Sequence, residues 1–289
     1  MKVGVVGNPR YRDLKSVLEY VGREAPARGI TLYGEERLAP FWSGELASFT
    51  AVELDALLTF GCDGTLLRGA RLLGGHETPI LGVNFGRLGF LTTITREGLG
   101  QALDCLVSGR YVLERRQVLQ AAIKDGAGVQ RSVQMAVNDV AVHKGGVARV
   151  VRVNVYINGE NVGPYSADGI IVATPTGSTA YSLSAGGPIV VPGVEAMVVT
   201  PIAAHTLAVR PLVVPATYRI VIEPMPGWAD DLLVSFDGQT GTMLAPGESV
   251  DVRRADHRVC LVRLGGDGFF SRMRQKLHWG DLPDREAVR

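Results

Sequence analysis

DGIIVATPTGSTAYSLSAGGP, residues Asp168 to Pro188, begins as an apolar run, Gly169-Ile170-Ile171-Val172-Ala173, and then breaks into Thr174-Pro175-Thr176-Gly177-Ser178-Thr179-Ala180-Tyr181-Ser182-Leu183-Ser184. The first part reads as a buried strand. Seven of the eleven residues in the second part carry a hydroxyl, and Gly177 lets the backbone come close to a partner. A strand that ends in small hydroxyl residues and backbone N–H groups makes a cradle for a polar, hydroxyl-rich ligand. The plainer reading is an ST-rich turn capping a following helix, yet a cap needs only one or two hydroxyls. The stretch is not a Walker A loop, because no lysine follows a glycine, and it lacks the G-x-S-x-G spacing of a nucleophile elbow. It reads as a binding site.

On both sides of this stretch, from Tyr111 to about Leu264, strands and turns dominate. Val151, Val153, Val155 and Ile157 alternate with Arg152, Asn154 and Tyr156, and Asn158-Gly159 then supplies a type I′ hairpin turn. Tyr218–Glu223, Leu232–Phe236 and Arg258–Leu264 continue in the same style. Residues 111–265 are expected to form a β-rich, sandwich-like domain, with one helix after Thr179.

Before Tyr111 the pattern is different. Val3–Val6, Glu53–Phe60 and Pro79–Val83 read as strands, while Asp13–Glu24, Leu66–Leu73 and Glu97–Val107 have helical period. Alternating strands and helices predict an α/β domain with a doubly wound parallel sheet over residues 1–110. Phe269–Leu277 again has helical spacing, so residues 266–289 are expected to return to the first domain and cover its sheet.

The composition excludes several classes. Lys plus Arg number 30 against 29 for Asp plus Glu, a net charge of +1 that provides no field for nucleic acid or an anionic membrane. Cys62, Cys105 and Cys260 lack C-x-x-C spacing, which argues against a disulfide framework or zinc site and fits a reducing cytoplasm. No apolar run approaches the length of a membrane span, and the run after Met1 is too short for a signal peptide.

Two further stretches could carry chemistry. Gly61-Cys62-Asp63-Gly64-Thr65 follows a strand at the carboxyl end of the expected parallel sheet, where ligands of open α/β sheets bind. Its glycines admit a phosphate or sugar, and Asp63 offers a carboxylate to a hydroxyl or a metal; a plain strand-to-helix turn is the alternative. Asn138-Asp139, between two apolar segments, reads as a bulge or strand end aimed at a ligand, or equally as an Asx turn. Gly265-Gly266-Asp267-Gly268 looks like a second glycine-rich site, but it runs into Phe269-Phe270 and reads as an inter-domain connection. Lone His143 and His205 are read as structural or solvated, and Asp230-Asp231 and Asp237-Gly238-Gln239 as turns.

Together these stretches resemble the NAD kinase family over most of the chain. The family's G-G-D-G-T is similar to Gly61–Thr65, and its N-x-G-x-L-G-F-L to Asn84–Leu91. Its N-[DE] pair matches Asn138-Asp139, and its long signature runs from Asp168 to Pro188. Its T-P-I-x-x-H-[ST]-L lies at Thr200–Leu207, with Arg210-Pro211 after it, and its Asp-Gly-Gln turn at Asp237–Gln239. The short motif also occurs in lipid kinases and phosphofructokinases; the long one does not.

The resemblance implies phosphoryl transfer from ATP or another donor to the adenosine 2′-hydroxyl of NAD, with Asp63 as the catalytic carboxylate and Mg²⁺ on the donor phosphates. It implies that Asn138 and Asp139 hold NAD and that Thr179, Ala180, Tyr181, Ser182, Leu183 and Ser184 line the dinucleotide site. It also places Gly64, Arg68, Arg149, Asp168 and Gln239 in contact with ligand, and it implies a homodimer or homotetramer. Cys62 departs from the family's glycine, and its Cβ could crowd the donor phosphates or force a different φ. Against a lipid kinase stands the hydroxyl-lined acceptor stretch; against a non-catalytic dinucleotide binder stands Asp63.

Overall fold

The computed structural model describes residues 1–42, 47–49, 53–86, 89–92, 94–145, 150–206, 208–227, 232–265 and 268–280. Arg149, the pair Asp230-Asp231, Leu207, residues 87–88 of the Asn84–Leu91 stretch, and residues 266–267 of the glycine-rich connection lie outside the described residues, as do residues 281–289.

The elements in chain order begin β1 (Lys2–Gly7), α1 (Leu14–Glu24), β2 (Thr31–Gly34), β3 (Ala56–Gly61), α2 (Asp63–Leu72), β4 (Ile80–Asn84) and α3 (Leu99–Ser108). β5 (Val112–Lys124), β6 (Gln130–Ala136), β7 (Asp139–Lys144), β8 (Val151–Ile157), β9 (Glu160–Ala167), β10 (Gly169–Ala173) and the single turn α4 (Tyr181–Ser184) follow. The chain closes with β11 (Ala196–Ile202), β12 (Leu212–Pro215), β13 (Ile220–Pro224), β14 (Leu232–Phe236), β15 (Thr240–Leu244), β16 (Ser249–Arg263) and α5 (Phe269–Leu277). They fall into two compact units. Met1–Leu73, Thr78–Glu114 and the chain from Cys260 onward make the first, Gly74–Glu77 and Arg115–Val259 the second.

The first unit is α/β. Strands β2, β1, β3 and β4 pair in parallel in that order, and Leu261 of β16 sits opposite Ile80 of β4, also in parallel. Every residue of β3 and β4 is buried, the continuous apolar run that a sheet covered on both faces requires. Leu14, Val17, Leu18 and Val21 of α1 recur at helical spacing and are all buried against that sheet's core. Each such leucine contributes roughly 1.5–3 kcal/mol by leaving water. Helix α3 stops where Gly109 turns left-handed at φ +68, a conformation that glycine adopts without strain.

The second unit is antiparallel β. A six-stranded sheet runs β12-β11-β10-β7-β14-β15. In the other layer β9, β8, β13 and the Ser249–Val259 part of β16 pair in turn, and β5 pairs with β6. Val151, Val153, Val155 and Ile157 of β8 are buried while the residues between them are not, as the alternation predicts. They share one core with Val140 and Val142 of β7, Ile170 and Val172 of β10, and Val234 of β14. Asn158 and Gly159 both take positive φ, 51° and 90°, in the expected hairpin turn.

Candidate functional site

In the first unit the site is built where β3 ends. The sequence predicts the helix from Leu66, but α2 begins three residues earlier, at Asp63. The reason is that the Cys62 carbonyl already accepts the N–H groups of Thr65 (2.8 Å) and Leu66 (3.4 Å). Asp63 therefore stands in the first helical turn, where a negative charge suits the helix dipole. A Cβ on Gly61 would lie 2.9 Å from Thr65 Cβ, so only glycine lets the strand turn into the helix this tightly.

The Asp63 carboxylate is held by the loop after β4. Oδ1 accepts the N–H groups of Leu91 (3.2 Å) and Thr92 (3.0 Å) and the Thr92 hydroxyl (3.0 Å); among the described residues Oδ2 accepts Phe90 N–H alone, at 2.7 Å. The loop is in turn anchored. Ile94 bridges back to Val83, and Arg263 donates to the Leu91 carbonyl at 2.8 Å while paired with Glu114 at 2.6 Å. Oδ2, with one donor, keeps capacity to accept another proton. The sequence does not single out Thr92 or Arg263, since no local spacing links them to Asp63.

Arg68, one turn below Gly64 on α2, is committed to this unit's own frame. It forms a two-point ion pair with Glu35 and donates to Gly7 O at 2.6 Å, while Glu35 accepts Gly7 N–H at 3.0 Å. The clamp fixes the chain where β1 ends. Cys62 has φ −98°, so its backbone demands no glycine, and its exposed thiol lies against Tyr11. Burial, and then Cys62, raise the Tyr11 hydroxyl above its ordinary range.

In the second unit Thr174–Gly187 folds against the start of β7. Thr174 N–H donates to Asn138 O (2.8 Å) and its hydroxyl to Val137 O (2.6 Å). A Cβ on Gly177 would lie 2.7 Å from Asn138 Cα and nearer still to its carbonyl, so the two backbones cross at glycine. The carboxylate of Asp237 gathers the N–H groups of Val137 (3.0 Å), Asn138 (2.7 Å) and Asp139 (3.2 Å). Asp139 itself is 4% exposed, and its carboxyl is pushed up to about 7, first by burial and then by the charge of Asp237.

A cleft of about 610 Å³ opens here, a size within the range of small-molecule sites. Asn138, Asp139, Ala180, Tyr181, Asp237 and Gln239 are among its lining. Other hydroxyls of the Ser/Thr-rich stretch bond within this unit. Ser178 is buried and bonds Pro175 O at 2.7 Å, Thr179 donates to Thr176 O at 3.2 Å, and the buried Ser182 pairs with Thr200 at 2.8 Å. These hydroxyls hold the loop's own shape, because a buried hydroxyl must find a partner and the nearest carbonyls are local. Leu183 is half-buried and Ser184 exposed. Asp168 is exposed, with His205 Nε2 3.7 Å away, so that histidine is not solitary.

Among the described residues no group of three or more His, Cys, Asp or Glu side chains could hold a metal ion, and no helix is long and apolar enough to cross a membrane.

Comparison with known proteins covers both units. Residues 4–111 match the ATP-NAD kinase N-terminal domain and residues 137–264 the ATP-NAD kinase C-terminal domain. The NAD kinase of Gemmatimonas aurantiaca is 49% identical over 287 residues, 99% of each chain. Among solved structures, yeast NADH kinase complexed with NADH superposes with a TM-score of 0.86 at 25% identity, covering 98% of this chain and 89% of that one. The NAD kinase from Archaeoglobus fulgidus in complex with ATP gives 0.73 at 26% identity, with 96% and 99% covered.

Proposed function

The chain belongs to the NAD kinase family, kinases that phosphorylate NAD, and from that membership we propose that it moves the γ-phosphoryl group of ATP to the adenosine 2′-hydroxyl of NAD, giving NADP and ADP. The observation that carries the reading is the Asp63 carboxylate, held in the first turn of α2 by three backbone N–H groups and the Thr92 hydroxyl.

In the reaction the 2′-oxygen forms a bond to the γ-phosphorus, the bond from that phosphorus to the β,γ-bridging oxygen breaks, and ADP leaves with the electron pair. Asp63 Oδ2 takes the hydroxyl proton. Asn138 and Asp139 hold the base and ribose of NAD, with Tyr181, Ala180 and Gln239 completing the cleft wall. Gly64, Arg68, Thr179, Ser182, Leu183, Ser184, Asp168 and Arg149 are assigned to the ligand surroundings on the same resemblance. For Arg68, Thr179 and Ser182 the bonds above favour shaping the site over touching the ligand.

Mg²⁺ would fit here as a passenger of the donor phosphates, because Asp63 supplies one carboxylate and, among the described residues, no group of three or more His, Cys, Asp or Glu side chains accompanies it. Bound there, it neutralises phosphate charge. The protein is further assigned to the cytoplasm, as a homodimer or homotetramer, which gel filtration with light scattering decides.

The test is NADP formation from NAD and ATP with Mg²⁺, beside a sample with excess EDTA. Turnover that EDTA abolishes is the expected result; NAD bound with no turnover from ATP, another nucleoside triphosphate or polyphosphate overturns the kinase reading. A second expectation concerns Gly89. A Cβ there would lie 2.6 Å from Asp63 Oδ2 and nearer still to Oδ1. Gly89→Ala should therefore displace the carboxylate by about 1 Å and lower kcat roughly 10²-fold. An unchanged kcat would show that the loop does not fix Asp63.

A further inference from the structure

The Asp237 turn does more than reverse the chain. Asp237 and Gly238 take φ of 52° and 61°, and Gln239 N–H closes the turn on Phe236 O at 3.0 Å. Asparagine or glycine fills such a left-handed position without setting one carboxylate beside another. Here the carboxylate reaches across to β7 and accepts three consecutive N–H groups, while Asp237 N–H donates to Asp139 O at 2.9 Å.

We propose that Asp237 is a positioning residue for NAD: its carboxylate, aimed by the left-handed turn, sets the pose of Asn138-Asp139 and holds a like charge against the Asp139 carboxyl. The proposal rests on the NAD kinase reading above. It explains why Asp139, the buried carboxyl of the N-[DE] pair, sits beside a second carboxylate in this cleft. The other titratable groups lining that cleft are His143, four residues along β7, and Tyr181 of α4. On the β10 side, Ala173 lies opposite Asp139 and Thr174 follows, neither of them ionisable.

The sign follows from the raised Asp139 carboxyl. Its carboxylate form appears only as pH climbs through about 7, and a carboxylate accepts ribose hydroxyls better than the acid does. The wild-type KM for NAD should therefore fall as pH rises through that range.

Two variants separate charge from placement. Asp237→Asn keeps size and removes charge, so the limb in KM for NAD should move acid. Its amide NH₂ also faces one of the three N–H donors, so a lowered Tm should accompany that shift while KM for ATP holds. Asp237→Glu keeps charge and misplaces it, so the limb should stay while KM for NAD rises roughly tenfold. KM for ATP should stay within about twofold in both. The proposal is overturned if neither variant changes KM for NAD or its pH limb. It is equally overturned if NAD and ATP constants worsen together in step with a lowered Tm. Should wild type form no NADP, the kinase reading fails by itself. Calorimetric titration of NAD into the same three proteins then decides the positioning role, and no NAD binding by wild type overturns both.

Discussion

Asp63→Asn is expected to lower kcat roughly 10³-fold, the order that one positioned general base supplies, while leaving the affinity for NAD close to wild type. Binding survives because Asn138, Asp139 and Asp237 belong to the other unit and keep their own hydrogen bonds. The substitution is not silent for the fold. If the amide oxygen takes the place of Oδ1, its three donors remain satisfied, but the amide NH₂ then faces Phe90 N–H, donor against donor. An unpaired donor of this kind costs about 1–3 kcal/mol, so a lowered Tm should accompany the lost turnover. Thermal unfolding and a calorimetric NAD titration, run beside the assay, separate the two effects. Full activity in Asp63→Asn would remove the carboxylate from the chemistry.

Gly177→Ala should produce the largest structural effect of any single methyl group at the site. The added Cβ meets the Asn138 Cα at 2.7 Å and its carbonyl group closer still, and these are backbone atoms, which no rotamer change can move aside. Overpacking on this scale costs about 1–3 kcal/mol, a drop in Tm of roughly 2–4 °C for each kcal/mol in a domain of this size. Because Asn138 must shift, KM for NAD should rise with it. Gly193→Ala is the control. A Cβ there meets nothing within 4 Å and the residue does not take positive φ, so stability should stay within about 0.5 kcal/mol. Equal behaviour of the two variants would mean that the crossing of the two backbones is not tight in solution.

The fold was legible where burial repeats with a local period. Leu14, Val17, Leu18 and Val21, or Val151 through Ile157, announce their element because each neighbour obeys the same face. The start of α2 was misplaced, since Gly64 and Thr65 look like turn residues and the Cys62 carbonyl that initiates the helix has no side-chain signature. The site was legible as motifs but not as bonds. Seven hydroxyls in eleven residues do mark a special segment, yet burial decides their partners, and burial is a property of the packed chain. Asp237 looked like an ordinary hairpin residue because the N–H groups it binds are about a hundred positions away in sequence. The same distance hid Arg263, whose guanidinium steadies the Leu91 carbonyl across a separation of 172 residues.

The route of β16 has a consequence for synthesis. Its Ser249–Val259 portion belongs to the second unit, while Cys260–Arg263 brings Leu261 alongside Ile80 and Val262 into the first unit's core. A ribosome delivers the first unit's strands β1–β4 before the second unit's strands, and the first unit's remaining strand segment, Cys260–Arg263, after them. The second unit, apart from the short segment Gly74–Glu77, is encoded without interruption and can close while the other waits with one sheet edge uncovered. An uncovered edge is a template for pairing with other chains. Nascent chains halted before Cys260 should therefore depend on chaperones more than chains halted after Arg263.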